Sequence, residues 1–297
     1  MGQKTVTVIR GVLWLPLFPL LASYAGAFHA AADSLAVFRL ELASLALCAA
    51  FIALCCRWRV GTIVLSATAF IAAGLILLDR RQPDTPDRPY TIYQKNLLFK
   101  MATHQPIIDD IVAQAPDFLT LQELSARNRV VLTGVAEILP HQVTCPFSAV
   151  GDVAIASRWP IIKETVICQP RLGMIAAQTQ TPDGDVWLVS LHLYWPWPHG
   201  QRGQAERILA VLESLDGPIV IGGDFNMVPW SHIVGRFEAT TQTQTAGTVI
   251  RTLPLHRFIN LPIDHILAPV NDPTQRRPLL GSDHFGVVAR IGVMPDT

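Results

Sequence analysis

Apolar residues crowd the first quarter of the chain in three long runs, about Val12–Phe28, Leu35–Cys56 and Val60–Leu78. Each is close to the ~20 residues that a helix needs to cross the hydrocarbon core of a bilayer. The pattern therefore predicts an N-terminal transmembrane helical region over residues 1–79 with about three spans, against two spans or a re-entrant pair as the competing arrangement. Pro16 and Pro19 are compatible with a membrane helix, where neighbouring groups re-satisfy the freed backbone. Arg39, near the start of the second run, can snorkel to the interface. A secretory leader is the rival reading of the first run, but no small-x-small site there is followed by polar sequence.

The pattern changes at Asp79. The stretch DRRQPDTPDRP, Asp79–Pro89, has three prolines and no apolar side chain, and it predicts a solvated, stiffened linker at 80–89. Residues 90–297 then alternate short apolar runs with helical periodicity. Tyr90–Leu98, Asp117–Leu121 and Gly151–Ser157 read as strands, and Gln105–Gln114 and Arg127–Ile138 as helices. Ile107, Ile108, Ile111 and Val112 fall on one face of the first helix. Ile175–Thr181 and Val186–Leu193 form a hairpin around Pro182-Asp183-Gly184. Gln201–Leu215 is an amphipathic helix, and Pro218–Ile221, Ile263–Ala268 and Phe285–Ile291 are strand-like. Thr240–Thr248, rich in Thr and Gln, reads as a surface loop. Many strands with interspersed helices predict two packed sheets covered by helices.

Composition sharpens this division. Half of the 297 residues are hydrophobic and 15% are charged, for a mean hydropathy of +0.34. Residues 1–79 hold five of the 23 Lys and Arg and three of the 23 Asp and Glu, so the remainder carries 18 cations against 20 anions. A net −2 gives that part no overall cationic field, which weighs against a dedicated nucleic-acid binder. Lys4 and Arg10 precede the first run, Arg57 and Arg59 separate the second from the third, and Ala30–Ser34 has neither Lys nor Arg. The positive-inside rule places the N-terminus in the cytoplasm and everything beyond Leu78 across the membrane, although Arg80 and Arg81 oppose it. In a bacterium this means a multi-pass inner-membrane protein with a periplasmic domain. Cys145 and Cys168 flank Gly151–Ser157; an oxidising compartment would permit a bridge, and two unpaired buried thiols are the alternative. No Cys-x-x-Cys there points to zinc.

The candidate chemistry lies where the apolar runs stop. IVIGGDFN, Ile219–Asn226, reads as a buried strand that ends in a tight turn. Its exit presents Asp224 and Asn226 at the position where open α/β sheets bind ligands. Gly222 and Gly223 allow close backbone approach to a strand or ligand, although a strand followed by an Asx-turn would look the same. Asn96 follows TIYQK, Glu123 follows DFLTLQ, and His192 lies in VWLVSLHL. Asp264 opens IDHILA, and Asp283-His284 precedes FGVVARI. Singly, each has a bland reading as turn former, cap or half-buried imidazole. Six such places in one chain are harder to treat as separate accidents.

Taken in order, QKNLL, LQEL, SLHL, GGDFN, IDHIL and GSDH resemble the endonuclease/exonuclease/phosphatase superfamily, the DNase-I-like fold, from about Tyr90 to Val293. The resemblance implies a four-layer α/β/β/α sandwich that hydrolyses phosphate esters with a divalent metal, usually Mg²⁺, with Mn²⁺ as a second candidate. It implies Glu123 as the main metal ligand, Asn96 holding metal and phosphate, and Asp283 supplying another carboxylate to the metal side. Asp224 and Asn226 would position water or leaving group, His192 would contact phosphate, and Asp264 would pair with His284. The residue types fit independently, since Mg²⁺ takes oxygen ligands and keeps several waters, whereas zinc would need more His or Cys. In-line attack by water needs no covalent nucleophile.

Two departures bear on substrate. Lys95 replaces the aromatic or small residue of many relatives, either as a phosphate contact or as a solvated side chain. Tyr194-Trp195-Pro196-Trp197-Pro198 either stacks a base or enters lipid headgroups, or is a rigid loop packed on the Gln201 helix. Trp159 and Trp230 read as packing residues. The sequence thus predicts a membrane-tethered phosphoesterase acting on nucleic acid or a lipid headgroup, with no protein partner indicated. A catalytically silent membrane-anchored binding module is the alternative.

Overall fold

A computed structural model describes residues 3–78, 89–256, 259–271 and 274–293. Apart from Pro89, the linker expected at Asp79–Pro89 lies outside them. Contacts divide the chain into two units. Among the described residues, one comprises 3–78 with the segments Pro196–Pro198 and Trp230–His232; the other holds the rest.

The first unit is helical: α1 (Gln3–Leu13), α2 (Leu17–Ala22), α3 (Ala30–Leu35), α4 (Arg39–Cys55) and α5 (Arg59–Leu78). Three continuous stretches, Lys4–Ala22, Ala30–Cys55 and Arg59–Ile76, are long and apolar enough to cross a membrane. The first begins earlier than the apolar run indicated, because Thr5–Ile9 continues the helix. Ala43, Ala46, Ala50 and Ala53 form a small-residue stripe on α4 that packs with Leu65, Ala69 and Ala72 of α5, the close backbone approach favoured between helices in lipid. Arg39 does not snorkel. It is buried, its Nε donates to Ser23 Oγ at 3.0 Å, and its guanidinium lies 4.0 Å from the Tyr24 ring.

The second unit is a sandwich of two sheets. Its strands are β1 (Tyr90–Asn96), β2 (Phe118–Leu124), β3 (His141–Ser148), β4 (Gly151–Ser157) and β5 (Ile167–Cys168). They continue with β6 (Met174–Thr181), β7 (Gly184–His192), β8 (Ile219–Asp224), β9 (Gln244–Thr245), β10 (Leu253–His256) and β11 (Ile259–Leu261). The last four are β12 (Asp264–Ala268), β13 (Val270–Asn271), β14 (Gln275–Arg277) and β15 (Gly286–Gly292). One sheet runs β13-β15-β1-β2-β4-β3 with β14 beside β15; the other runs β5-β6-β7-β8-β12-β9. Each has one parallel pair, β1 with β2 and β7 with β8. A parallel pair requires a crossover, supplied by α6 (Gln105–Gln114) and α8 (Gln201–Leu212).

Apolar residues of both inner faces fill the space between the sheets, among them Ile92, Phe118, Ile155, Leu188, Val220 and Ile266. On the outer face of the first sheet, Ile107, Ile108 and Ile111 of α6 pack with Leu119 and Leu121; Val112 is exposed, contrary to the periodicity. Outside the second sheet lie α8 and α9 (His232–Thr241), whose Phe237 meets Phe225 edge-on. The helix expected over Arg127–Ile138 contracts to α7 (Val130–Gly134). The expected Thr/Gln surface loop instead buries Thr241 and Thr243 and contributes β9. Gly222 is required by the sandwich itself, since a Cβ there would collide with Thr120 Oγ1 of the facing sheet. Cys145 and Cys168 form a disulfide, which ties edge strand β3 of one sheet to edge strand β5 of the other. Trp159 packs on Tyr90 and Phe118 as expected.

Candidate active site

Strand register assembles the site. In the second sheet His192 stands opposite Asp224, and Asp224 opposite Asp264, so three adjacent strands present their polar residues abreast. In the first sheet Asn96 pairs with Gln122, which places Glu123 one residue beyond. Asn96, Glu123, His192 and Asp224 all lie at carboxyl ends of the two parallel pairs, where backbone pairing stops and side chains become available.

Hydrogen bonds join these ends across the sandwich. Asn96 Nδ2 donates to Glu123 Oε1 at 3.2 Å and to Asp224 Oδ2 at 3.0 Å. His192 Nε2 lies 3.5 Å and His284 Nε2 4.0 Å from Asp224 Oδ2. His284 Nδ1 is 2.7 Å from Asp264 Oδ2. Gln94 Nε2 reaches Asp264 Oδ1 at 3.0 Å and Gln122 Oε1 at 2.8 Å. Asn226 N donates to Asp224 Oδ1 at 2.9 Å, the Asx-turn foreseen as the bland alternative, and Asn226 Nδ2 donates to Leu193 O at 2.7 Å. Glu123 and Asn226 have φ of 56° and 49°, a region that non-glycine residues seldom occupy and that marks strain held by the surroundings.

Burial sets the charges. It raises Asp224 above the usual carboxylate range, and the charge of Asp264 adds to the effect. Burial would also raise Asp264, but the charge and hydrogen bond of His284 outweigh it and leave it lowered. Burial alone would lower His284; the opposing pull of Asp264, Asp224 and Asp283 carries it up to about 10. His192 drops to about 4 through burial and the neighbouring His284 charge. Its Nδ1 is buried and has no hydrogen-bond partner among the described residues. Glu123 is half-buried and raised, chiefly by desolvation.

The donor set suits a hard cation. Asp224, Asp264 and His284 each place a ligand atom within 4.8 Å of the others, although the hydrogen bond between Asp264 and His284 already occupies one oxygen and one nitrogen. Each Glu123 oxygen faces an N–H, from Asn96 and from Phe99, and a carboxylate oxygen has lone pairs to spare beyond one such bond. Asp283 is exposed at the same rim, and its charge acts on Glu123 and His284. Carboxylates and an amide in this proportion match Mg²⁺ rather than Zn²⁺.

Some placements were not readable beforehand. Lys95 is neither solvated nor directed at the cleft; it is fully buried, and desolvation lowers it to about 7. Gln204 of α8 accepts from Tyr194 N and donates to His192 O, and Gln201 donates to Tyr194 O and Phe225 O. These bonds brace the β7 and β8 exits, and the only sequence signal was two glutamines on the apolar side of a helix. His265 Nε2 lies 2.7 Å from Met227 O and fixes the turn after Asn226. Trp195 and Trp197 are about half-exposed at 49% and 57%, while Tyr194 at the start of the same segment is bonded to the Gln201 helix.

Comparison with known proteins follows the same lines. The model of the Endonuclease/Exonuclease/phosphatase family matches residues 95–284. A UPF0294 protein of Vibrio cholerae is 27% identical over 198 residues, 54% of this chain and 69% of that one. Among solved structures, a Staphylococcus aureus beta toxin mutant with bound magnesium ions aligns at TM-score 0.52 and 13% identity, covering 69% of this chain and all of that one. The human Nocturnin catalytic domain with bound sulfate aligns at 0.52 and 16%, covering 71% and 97%. At such identities these structures show a shared fold.

Proposed function

The chain belongs to the endonuclease/exonuclease/phosphatase family, and on that premise we propose that it is a membrane-tethered, Mg²⁺-dependent hydrolase of phosphodiesters. In this reading residues 1–79 are the anchor, 80–89 the linker and 90–297 the catalytic domain. The observation that carries it is the convergence of Asn96, Glu123, His192, Asp224, Asp264 and His284 from both sheets on one set of strand ends. Glu123, Asn96 and Asp283 would hold the cation, which would neutralise charge on the phosphoryl oxygens. Asp224, with its raised proton affinity, takes the proton from attacking water near neutrality. Asn226 orients that water. His284, kept cationic by Asp264, donates to the phosphoryl or leaving-group oxygen, and His192 contacts the phosphate from the side. Charge stabilisation of this kind, already in place before reaction, supplies most of the rate.

A lipid headgroup is favoured over nucleic acid by the three apolar spans and by the net −2 of the remainder. The disulfide favours the oxidising, periplasmic side of an inner membrane. The test is to assay the full chain in detergent with Mg²⁺ against sphingomyelin, phosphoinositides, RNA and plasmid DNA. EDTA should abolish turnover, and Glu123→Ala should lower kcat by roughly a thousandfold or more with unfolding temperature retained. Undiminished turnover in EDTA sinks the metal-dependent mechanism. Calorimetry that detects no Mg²⁺ binding, with no turnover on any ester, would instead support the silent binding module.

A further inference from the structure

Strand β1 shows two different faces to the molecule. Side chains alternate along a strand, so Gln94 and Asn96 point into the cleft while Tyr93 and Lys95 point away from it. Lys95 Nζ ends against the segment that delivers Asp283 and His284, donating to Pro278 O at 3.2 Å, Leu279 O at 2.9 Å and His284 O at 2.5 Å. An ammonium has three N–H donors and no acceptor, and here each meets a carbonyl of one loop. Among the described residues it forms no ion pair. A buried cation without a counter-anion is unfavourable, and an apolar side chain of equal length would fill the same space. That side chain would leave three carbonyls unpaired.

Other bonds of β1 reach the same loop. Ser282 Oγ donates to Asn96 O at 2.7 Å, and His284 N donates to Ser282 Oγ at 3.0 Å. Tyr93 OH donates to Asp110, which also pairs with Arg277 where the loop begins. We propose that Lys95 is a positioning residue for the reaction: by gathering the carbonyls of Pro278, Leu279 and His284 it holds the His284 imidazole where Asp264 and the substrate phosphate meet it. This rests on the phosphodiesterase reading above, with Lys95 acting through His284 and touching no substrate.

The test uses the full chain in detergent with Mg²⁺ and bis(p-nitrophenyl) phosphate, comparing wild type, Lys95→Met, Lys95→Gln, His284→Ala and the Lys95→Met/His284→Ala double variant. Lys95→Met should lower kcat by roughly tenfold or more with KM within about twofold, and Lys95→Gln, which keeps two donors, should fall between it and wild type. The double variant should be no slower than His284→Ala alone, because residues acting as a unit are not additive. A general loss of structure would lower both independently. Hydrogen–deuterium exchange of residues 278–285 should accelerate roughly tenfold in Lys95→Met while β7 and β8 stay protected. Wild-type kcat in Lys95→Met, or losses that multiply in the double variant, overturns the proposal. If the Met variant does not fold, the Gln variant carries the same comparisons. If wild type cleaves no ester, the phosphodiesterase reading fails, while unchanged exchange at 278–285 still overturns the role of Lys95 by itself.

Discussion

A buried imidazole 2.7 Å from a buried carboxylate is fixed in orientation. Because His284 moves from 6.5 up to about 10 on folding, the folded state holds its proton more tightly than the unfolded chain. The stability gained is complete below about pH 6.5 and is lost as pH rises through about 10. In EDTA, the difference in unfolding free energy between wild type and His284→Ala should therefore shrink from pH 6.5 to 10. A difference that grows over that window contradicts the pairing. The acids and amides of the candidate site could be picked out in the sequence because each ends or opens an apolar run and such places recur six times along one chain. Lys95 was not legible, since its direction depends on which face of β1 meets the cleft, and its carbonyl partners lie 183 to 189 residues further along the chain.

Among the elements, β8 is where packing and chemistry meet most closely. Gly222 faces Thr120 across the sandwich, so Gly222→Ala should cost about 1–3 kcal/mol by overpacking, read as a lower midpoint in thermal unfolding. Thr120→Ala in the same chain should recover part of that loss; an unchanged midpoint in Gly222→Ala would show that the sheets are further apart. Helix α6 was readable to the residue because its isoleucines keep strict periodicity up to Gln114, and Ala115 closes it with a left-handed cap. Strand β3 was not, because Pro146 and its polar residues suit an edge strand and dilute the apolar signal. Helix α9 was hidden by Gly235 and its threonines, poor helix formers that tertiary packing overrides by burying Phe237 and Thr241.

For the whole molecule, the contrast between an apolar first part and the remainder was visible in composition, and the two sheets in the alternation of short apolar runs. The order of strands was not, because register depends on partners far apart in sequence. The Cys145–Cys168 bridge was left open by the sequence and is closed in the structure. It spans a separation of 23 residues, and loop-closure entropy assigns such a bridge about 3 kcal/mol. In cells the two thiols should resist alkylation until a reductant is added, and a C-terminal alkaline phosphatase fusion should be active. Thiols that alkylate freely in intact protein would place the domain in a reducing compartment.

Because Gln94 and Asn96 serve the cleft while Tyr93 and Lys95 serve the loop behind it, β1 has no idle side. Inserting or deleting a single residue there would exchange the two sets, swinging an ammonium into the cleft and an amide towards the carbonyls of Pro278, Leu279 and His284.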